Sequence, residues 1–327
     1  MIRTQLCDLL GIEHPVIQPS IGPWSSAELV AAVSNAGGLG SVGTALQTAE
    51  DLRKQLTRVR ELTDRPFAIN HTARPFNEEA FVLSLQAGPK LVSFALGDPG
   101  DLAERAHDAG ILFMQQVHTV EQAYQAVETG VDVIVAQGSE AGGFGGTVDA
   151  MSLTPQVVDA VSPIPVVAAG GIADGRGLAA ALLLGAQGVN IGTRFLASTE
   201  AMVPDDWKQS ILAADSEDAI KVEFADHVFP RPSREGGYGT LPRVLRTPFV
   251  EEWNRRGDEV EPEAERLGGE LVAAIRQGRA HELVTFTGQT AGQIHEVLSA
   301  GEIVRQMVAG AEEALRRANT SFRGSEN

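Results

Sequence analysis

Short apolar runs alternate with longer amphipathic stretches from near the start of the chain. Eight runs read as strands: 15–18 (PVIQ), 39–42 (LGSV), 67–70 (FAIN), 91–95 (LVSFA), 111–116 (ILFMQQ), 132–136 (DVIVA), 165–169 (PVVAA) and 188–191 (GVNI). Between them, residues 26–36, 48–62, 78–87, 98–109, 119–129, 154–161 and 174–184 carry apolar side chains at helical spacing. Gly37-Gly38, Gly110 and Gly130 stand where those helices should stop. Pro155 suits a first helical turn, so the helix before the seventh strand is predicted to start at Thr154.

Strands that alternate with helices imply a parallel sheet. The runs are apolar on both faces, as strands between a barrel interior and an outer helical layer would be. Eight units in succession predict an α/β fold, a closed (β/α)8 TIM barrel, over an open doubly wound sheet. The open sheet is weakened because no G-x-G-x-x-G follows the first strand; GGLG at 37–40 precedes a strand instead. The barrel core is assigned to residues 1–199. From 200 to 282 the rhythm breaks into charged and proline-rich sequence with an acidic helical stretch over 251–277, read as a cap inserted after the eighth strand over the barrel mouth. Residues 283–327 return to the barrel through an amphipathic helix, Thr290 to Arg317, which Gly301 is expected to divide, ending in a frayed SFRGSEN tail.

Composition narrows the function classes. The 327 residues are 43% apolar and 21% charged, with a net charge of −17. An acidic surface argues against nucleic acid and against anionic lipid. The one cysteine, Cys7, has no internal partner and is read as packing in a reducing compartment. The N-terminal stretch has no apolar signal region and no run is long enough to span a membrane, so the expected location is cytoplasmic. The expected partner is a small-molecule substrate; a homodimer is an option that no residue specifies. Histidines are scattered without metal-binding spacing, so no metal is expected.

Candidate chemistry gathers at the strand ends, where such barrels place their active groups. Gly170-Gly171 ends the seventh strand and Gly192-Thr193 ends the eighth. Two glycine-bearing ends one helical unit apart suit a phosphate held by backbone N–H groups. Gln18, Asn70, Gln116 and Gln137 end other strands. As a set they offer the mixed donors and acceptors that a pyrimidine-like ring edge needs. Phosphate at one end and amides in the middle suit FMN. The flexible loop QGSEAGGFGG, 137–146, can approach a bound ring closely. No G-x-S-x-G elbow surrounds Ser20 or Ser139.

These residues resemble the nitronate monooxygenase family, which also includes flavin-dependent enoyl-acyl-carrier-protein reductases and quinone reductases. The likeness runs through HPVIQPSIGPWSSAELVAAVSNAGGLGSVG, VDVIVAQGSEAGGFGG, LPRVLRTPFVEEW and FTGQTAGQIHEVLSAGEIV; VVAAGGIADGRGLAAALLLGAQGVNIGTRFLAS carries it most specifically. The resemblance implies non-covalent FMN at the C-terminal mouth of the barrel. Asn70, Gln116 and Gln137 would face the ring, Ser20 and Ile21 would lie against it, and Gly142 and Gly143 would pass beside it. Gly170, Gly171, Gly192 and Thr193 would hold the phosphate, and Gln289 would reach the cofactor from the C-terminal segment.

The chain departs from the family at several points. Phe144 stands where members usually carry the acid/base histidine, Ala95 where many carry another, Ile21 where methionine is usual, and Gln116 where a lysine or similar is common. Phenylalanine cannot transfer a proton. His71 is the candidate stand-in, with His118 behind it; Arg234 and Tyr238 are candidates for substrate contact. The implied activity is oxidation of alkyl nitronates with oxygen. The alternative is an NAD(P)H-dependent flavin reductase acting on an enoyl thioester or quinone, which Phe144 disfavours less. From another class, a non-redox phosphate-binding barrel or an FMN-binding protein without turnover stays open. A local basic patch at Arg231, Arg234, Arg243 and Arg246 is the one feature that suits an acidic carrier protein.

Overall fold

The structure, a computed structural model, describes residues 2–73, 76–224, 228 and 240–322. After helix α1 (Gln5–Leu10), strands and helices alternate: β1 (Val16–Ile17), α2 (Ala27–Asn35), β2 (Gly40–Gly43), α3 (Ala49–Leu62), β3 (Phe67–Thr72), α4 (Glu78–Ala87), β4 (Leu91–Ala95), α5 (Leu102–Asp108), β5 (Leu112–Val117), α6 (Val120–Glu128) and β6 (Val133–Gln137). A short strand β7 (Gly143–Gly145) interrupts the alternation before α7 (Ala150–Val161), β8 (Val166–Ala169), α8 (Gly175–Leu183), β9 (Gly188–Asn190) and α9 (Thr193–Leu196). All strands but β7 join one parallel sheet in the order β1-β9-β8-β6-β5-β4-β3-β2. Gln18 N–H donates to the Leu39 carbonyl at 2.9 Å and Leu39 N–H to the Val16 carbonyl at 3.0 Å. These two bonds bring β1 against the approach to β2 and close the (β/α)8 TIM barrel.

Local chemistry sets the element ends. Ser26, Thr48, Asn77 and Thr119 each accept a backbone N–H from the first turn of the helix that follows them. One predicted start is corrected. α7 begins at Ala150, and Pro155 lies inside it. The Glu140 carboxylate accepts the Ala150 N–H at 3.0 Å, so a side chain from the preceding loop, rather than the proline, fixes where this helix starts.

The barrel interior is filled by inward-facing residues such as Ala68, Leu91, Met114, Val133 and Val167. Leu6, Cys7 and Leu10 of α1 belong to the same buried cluster, so α1 plugs one end and Cys7 is a packing residue there. The opposite end, where the strands terminate, is left for the site.

After α9 come α10 (Asp205–Ala213), β10 (Ala219–Lys221), β11 (Leu241–Leu245), α11 (Pro248–Arg256) and α12 (Val260–Arg276). The acidic stretch over 251–277 is thus two helices, parted at Gly257, whose φ is +49°. Val222, Val244, Trp253, Leu267 and Leu271 form a separate apolar core for these elements. β11 pairs antiparallel with β10 on one side and with β7 on the other, with Phe144 opposite Pro242. The glycine-rich loop therefore becomes the edge strand of a second sheet. The chain ends in α13 (Ala300–Phe322), which buries Ile303, Val304, Met307 and Ala311 in the core shared with Leu178 of α8. Gly301 lies in its first turn and divides nothing; residues 289–293 form a separate 3-10 turn. Residues 323–327 of the expected tail lie outside the described residues.

Candidate functional site

A cavity of about 750 Å³ opens at the strand ends. Strand alternation decides which side chains reach it. Asn70 and Thr72 of β3, Ser93 and Ala95 of β4, Met114 and Gln116 of β5, Val135 and Gln137 of β6, Ala169 of β8 and Asn190 of β9 all line it. The amides are held in pairs: Asn70 Nδ2 donates to Ser93 Oγ at 2.9 Å, and Gln116 Nε2 donates to Gln137 Oε1 at 3.1 Å. These bonds hold the amide planes at fixed angles before any ligand arrives.

The loops complete the wall. Ser20 and Ile21 follow β1, Gly142, Gly143 and Phe144 follow β6, Gly170 and Gly171 follow β8, and Gly192 and Thr193 follow β9. Gly170 and Gly171 both have positive φ, +92° and +72°, a conformation that favours glycine, and both line the cavity. A Cβ on Gly142 would stand 2.6 Å from the backbone nitrogen of Gly288. Only glycine lets the two segments pass so closely. Gly288 N–H donates to Thr193 Oγ1 at 2.9 Å, and Gln289 N–H donates to the Glu140 carbonyl at 3.0 Å. The C-terminal segment is thus tied both to the β9 end and to the glycine-rich loop.

Four expected positions fall elsewhere. His71 alternates with Asn70 and points to the outer helical layer. Its Nδ1 meets Thr44 Oγ1 at 3.1 Å and its Nε2 meets Ser84 Oγ of α4 at 3.0 Å. Burial between β3 and α4 pushes its pKa down to about 4. It is outside the cavity and is not the missing proton carrier. Gln18 is fully buried, with Oε1 accepting the Ser41 N–H at 3.1 Å, and braces the β1 loop on β2. Gln289 contributes its peptide to the loop contact, while its neighbours Gly288 and Thr290 line the cavity in its place. His118 also lies behind the wall, packed beneath Gly146, and burial lowers its pKa to about 4. Arg231, Arg234 and Tyr238 lie outside the described residues.

Arg243 is no surface patch. It is buried, and its Nε and Nη2 donate to the Ser139 carbonyl at 3.0 and 2.9 Å. Its Nη1 donates to the Ala219 carbonyl, and Lys221 Nζ donates to the Gly146 carbonyl. Two cations from β10 and β11 therefore pin the glycine-rich loop from outside.

The outer wall was not legible beforehand. It is made by Trp24, Leu46, Val228, Thr240, Pro242, Phe286 and the α12 residues Gly268, Gly269, Leu271–Ala273, Ile275 and Arg276. Phe144 packs against Phe286 with ring centroids 6.0 Å apart and planes tilted by 36°. Among the described residues, Glu140 and Arg276 are the only ionisable side chains in the lining. Glu140 is occupied in capping α7. Asn190 was also missed; the clue was one polar residue in the apolar run GVNI, just before Gly192-Thr193. It is buried, and its Oδ1 has no hydrogen-bond partner among the described residues.

A flavin nucleotide fits this arrangement. The volume is within the range of small-molecule sites, and the strand ends supply amide donors and acceptors beside the glycine-bearing turns at 170–171 and 192–193. The Asn190 Oδ1 is a buried acceptor that a ligand donor would satisfy.

Comparison with known proteins agrees in fold. Residues 3–80 and 71–310 match the family model for nitronate monooxygenase. A Rhodococcus jostii protein named (3aS,4S,5R,7aS)-5-hydroxy-7a-methyl-1-oxo-octahydro-1H-indene-4-carboxyl-CoA dehydrogenase is 40% identical over 285 residues, covering 87% of this chain and 74% of its own length. The solved structure of FabK from Thermotoga maritima is 33% identical, has a TM-score of 0.89, and covers 98% of this chain and 100% of that one. The structure of a nitroalkane oxidase from Streptomyces ansochromogenes is 29% identical, with a TM-score of 0.80 and coverage of 96% and 99%.

Proposed function

Because this chain belongs to the nitronate monooxygenase family of flavin-dependent oxidoreductases, we propose that its flavin is FMN, that NAD(P)H reduces it, and that its cavity serves hydride transfer to an enoyl thioester. One observation carries this reading. Among the described residues, the lining offers no side chain able to take or give a proton except Glu140, which caps α7, and Phe144 occupies the wall where the family's acid/base residue is expected; hydride transfer from a nicotinamide to flavin needs no such group, and the proton that completes reduction of an enoyl thioester would come from water.

When bound, the flavin supplies two-electron chemistry between a reduced nicotinamide and an acceptor. The protein contributes placement. The Gly170-Gly171 and Gly192-Thr193 peptides would hold the phosphate, as loops after the last two barrel strands do. Asn70, Gln116 and Gln137 would fix the ring through its polar edge, with Ser20 and Ile21 against one side and Gly142-Gly143 passing beside it. Phe144 and Phe286 would line the reacting face with apolar surface and narrow the approach to it. The segment 200–282 acts as the cap that sets what else enters. A relative that is named as a carboxyl-CoA dehydrogenase supports a thioester substrate.

Nitronate oxidation is the second reading, favoured by the family match. An already ionised nitronate brings its own carbanion character and needs no base, so Phe144 is compatible with it. The neutral nitroalkane would be a poor substrate.

Anaerobic titration of the purified protein tests both. Bleaching of the flavin bands by NADH or NADPH but not by a nitronate is the expected result. Bleaching by the nitronate alone would replace the first reading with the second. A yellow protein that no donor bleaches would be a flavin carrier without turnover, and absence of flavin bands after adding FMN would remove the proposal.

A further inference from the structure

The outer wall has one feature that cofactor binding leaves unused. Arg276, in the last turn of α12, is the only cation lining the cavity among the described residues, and it is exposed at the rim. It makes no ion pair with any described carboxylate. Its neighbours do: Arg256 pairs with Glu252 and Glu259, Arg266 with Glu263 and Glu270, and Arg279 with Glu282. In a chain of net charge −17, carboxylates are not scarce. An arginine that faces a cavity and has no ion pair among the described residues is available to an anion, and its planar fork suits phosphate.

The rest of α12 leads to it. Gly269, Ala273 and Arg276 follow one another at spacings of four and three residues, so they share a face, and all three line the cavity. Seven residues of helix carry the chain about 10 Å from Gly269 to Arg276. A Cβ at Gly269 would meet nothing within 4 Å, so packing does not require glycine there. The face is a smooth, side-chain-poor track that ends in a positive charge. Deeper in, Leu271, Val272 and Ile275 give it an apolar flank.

We propose that this rim is the binding track for the phosphate-bearing tail of a coenzyme A thioester, with Arg276 on the phosphates and the acyl group inside the apolar wall. The inference rests on the thioester reading above and adds a recognition residue to it. The 2′-phosphate of NADPH offers the same chemistry from a different source, and the experiment separates the two.

The test uses the flavin-loaded protein and free coenzyme A, whose binding needs no turnover. Calorimetry would compare coenzyme A with pantetheine, which lacks the nucleotide phosphates. The expected result is at least about tenfold tighter binding of coenzyme A, the scale of one charge-assisted contact, with that advantage lost in Arg276→Met and only partly kept in Arg276→Lys, which retains the charge without the fork. Pantetheine binding and the flavin spectrum should not move. Equal binding of coenzyme A and pantetheine, or equal loss of both in Arg276→Met, would overturn the proposal. So would a variant that binds coenzyme A normally but is reduced more slowly by NADPH and not by NADH, because Arg276 would then serve the nicotinamide donor. A residue that merely favours the helix end would shift melting temperature and leave all affinities alone. If bleaching by NADH persists in every variant while coenzyme A fails to bind, the oxidoreductase reading stands and only this inference falls.

Discussion

The two halves of the cavity are built by different means. The strand-end half is made of peptides, glycines and short amides, supplied at regular intervals by one repeating unit. The cap half is made of apolar side chains from stretches far apart in sequence: Trp24 and Leu46 near the start, Phe144 and Pro242 on paired strands, Phe286 and α12 near the end. Backbone donors at fixed strand ends can hold one ligand in one pose. An apolar wall assembled from independent segments can change its shape without disturbing that pose. The contrast teaches that cofactor binding and substrate choice are separable here, and each half can be attacked by itself.

The largest effect should come from giving the cap half the group it lacks. Phe144→His places an imidazole on the wall opposite the amides. Proton abstraction from a neutral nitroalkane should rise about 100-fold or more. Neutral imidazole is the base, so the gain should appear as pH rises through roughly 6.5, or lower in so apolar a setting. A pH profile of flavin reduction by nitroethane measures it, and a flat profile would mean that Phe144 does not face the reacting position.

The barrel half should show its weakness in acid. His71 and His118 both have pKa values pushed down to about 4 by burial behind the strands. Unfolding returns each to about 6.5, so the unfolded chain binds more protons between those values. Stability is therefore complete above about 6.5 and falls as the pH drops toward 4, by up to roughly 3 kcal/mol for each histidine. Urea midpoints at neutral pH and near pH 5 would show the loss. His71→Gln should remove about half of it without altering the flavin spectrum, since this side chain is outside the cavity.

Much of the strand-end half could be read directly from the chain, because a barrel repeats one short-range rule. A strand end, a turn and a helix cap follow within a few residues, so the glycine pairs and Asn70, Gln116 and Gln137 could be placed by counting. The eight strands fell within a residue or two of their expected positions for the same reason. Counting failed where one residue decides a face. Gln18 and His71 sit beside inward positions yet turn away, and Asn190 looked like one more member of an apolar run. The cap half depends on pairings between β7 and β11 and on which side of α12 meets the barrel. Nothing local encodes such contacts, which is why Arg243 read as a surface charge and the glycine-rich loop as loose.

A smaller effect is expected where the halves meet. Gly142→Val sets a side chain against the Thr287–Gly288 backbone, with contacts of 2.6 to 2.7 Å. Backbone must yield, at a cost of about 1–3 kcal/mol. Weaker flavin retention on gel filtration should accompany the lower urea midpoint. If stability falls and flavin stays bound, the C-terminal segment does not support the cofactor half.

The smallest change should be favourable. Gly269→Ala adds a methyl group into open space and removes a helix-interior glycine, for a gain of about 1 kcal/mol. Flavin affinity should be unchanged. A melting temperature that stays level or falls would show that Gly269 has a packing role that the structure does not reveal.

The pairing of β7 with β11 has a consequence for anyone who would graft a new specificity onto this scaffold. A cap transplanted from a relative brings its own β11 edge, and that edge must hydrogen-bond to the recipient's Gly143–Gly145 and seat an arginine under its Ser139 carbonyl. The exchangeable unit is thus discontinuous. A working chimera has to carry residues 138–146 together with 200–282, or the donor's lid will arrive without its latch.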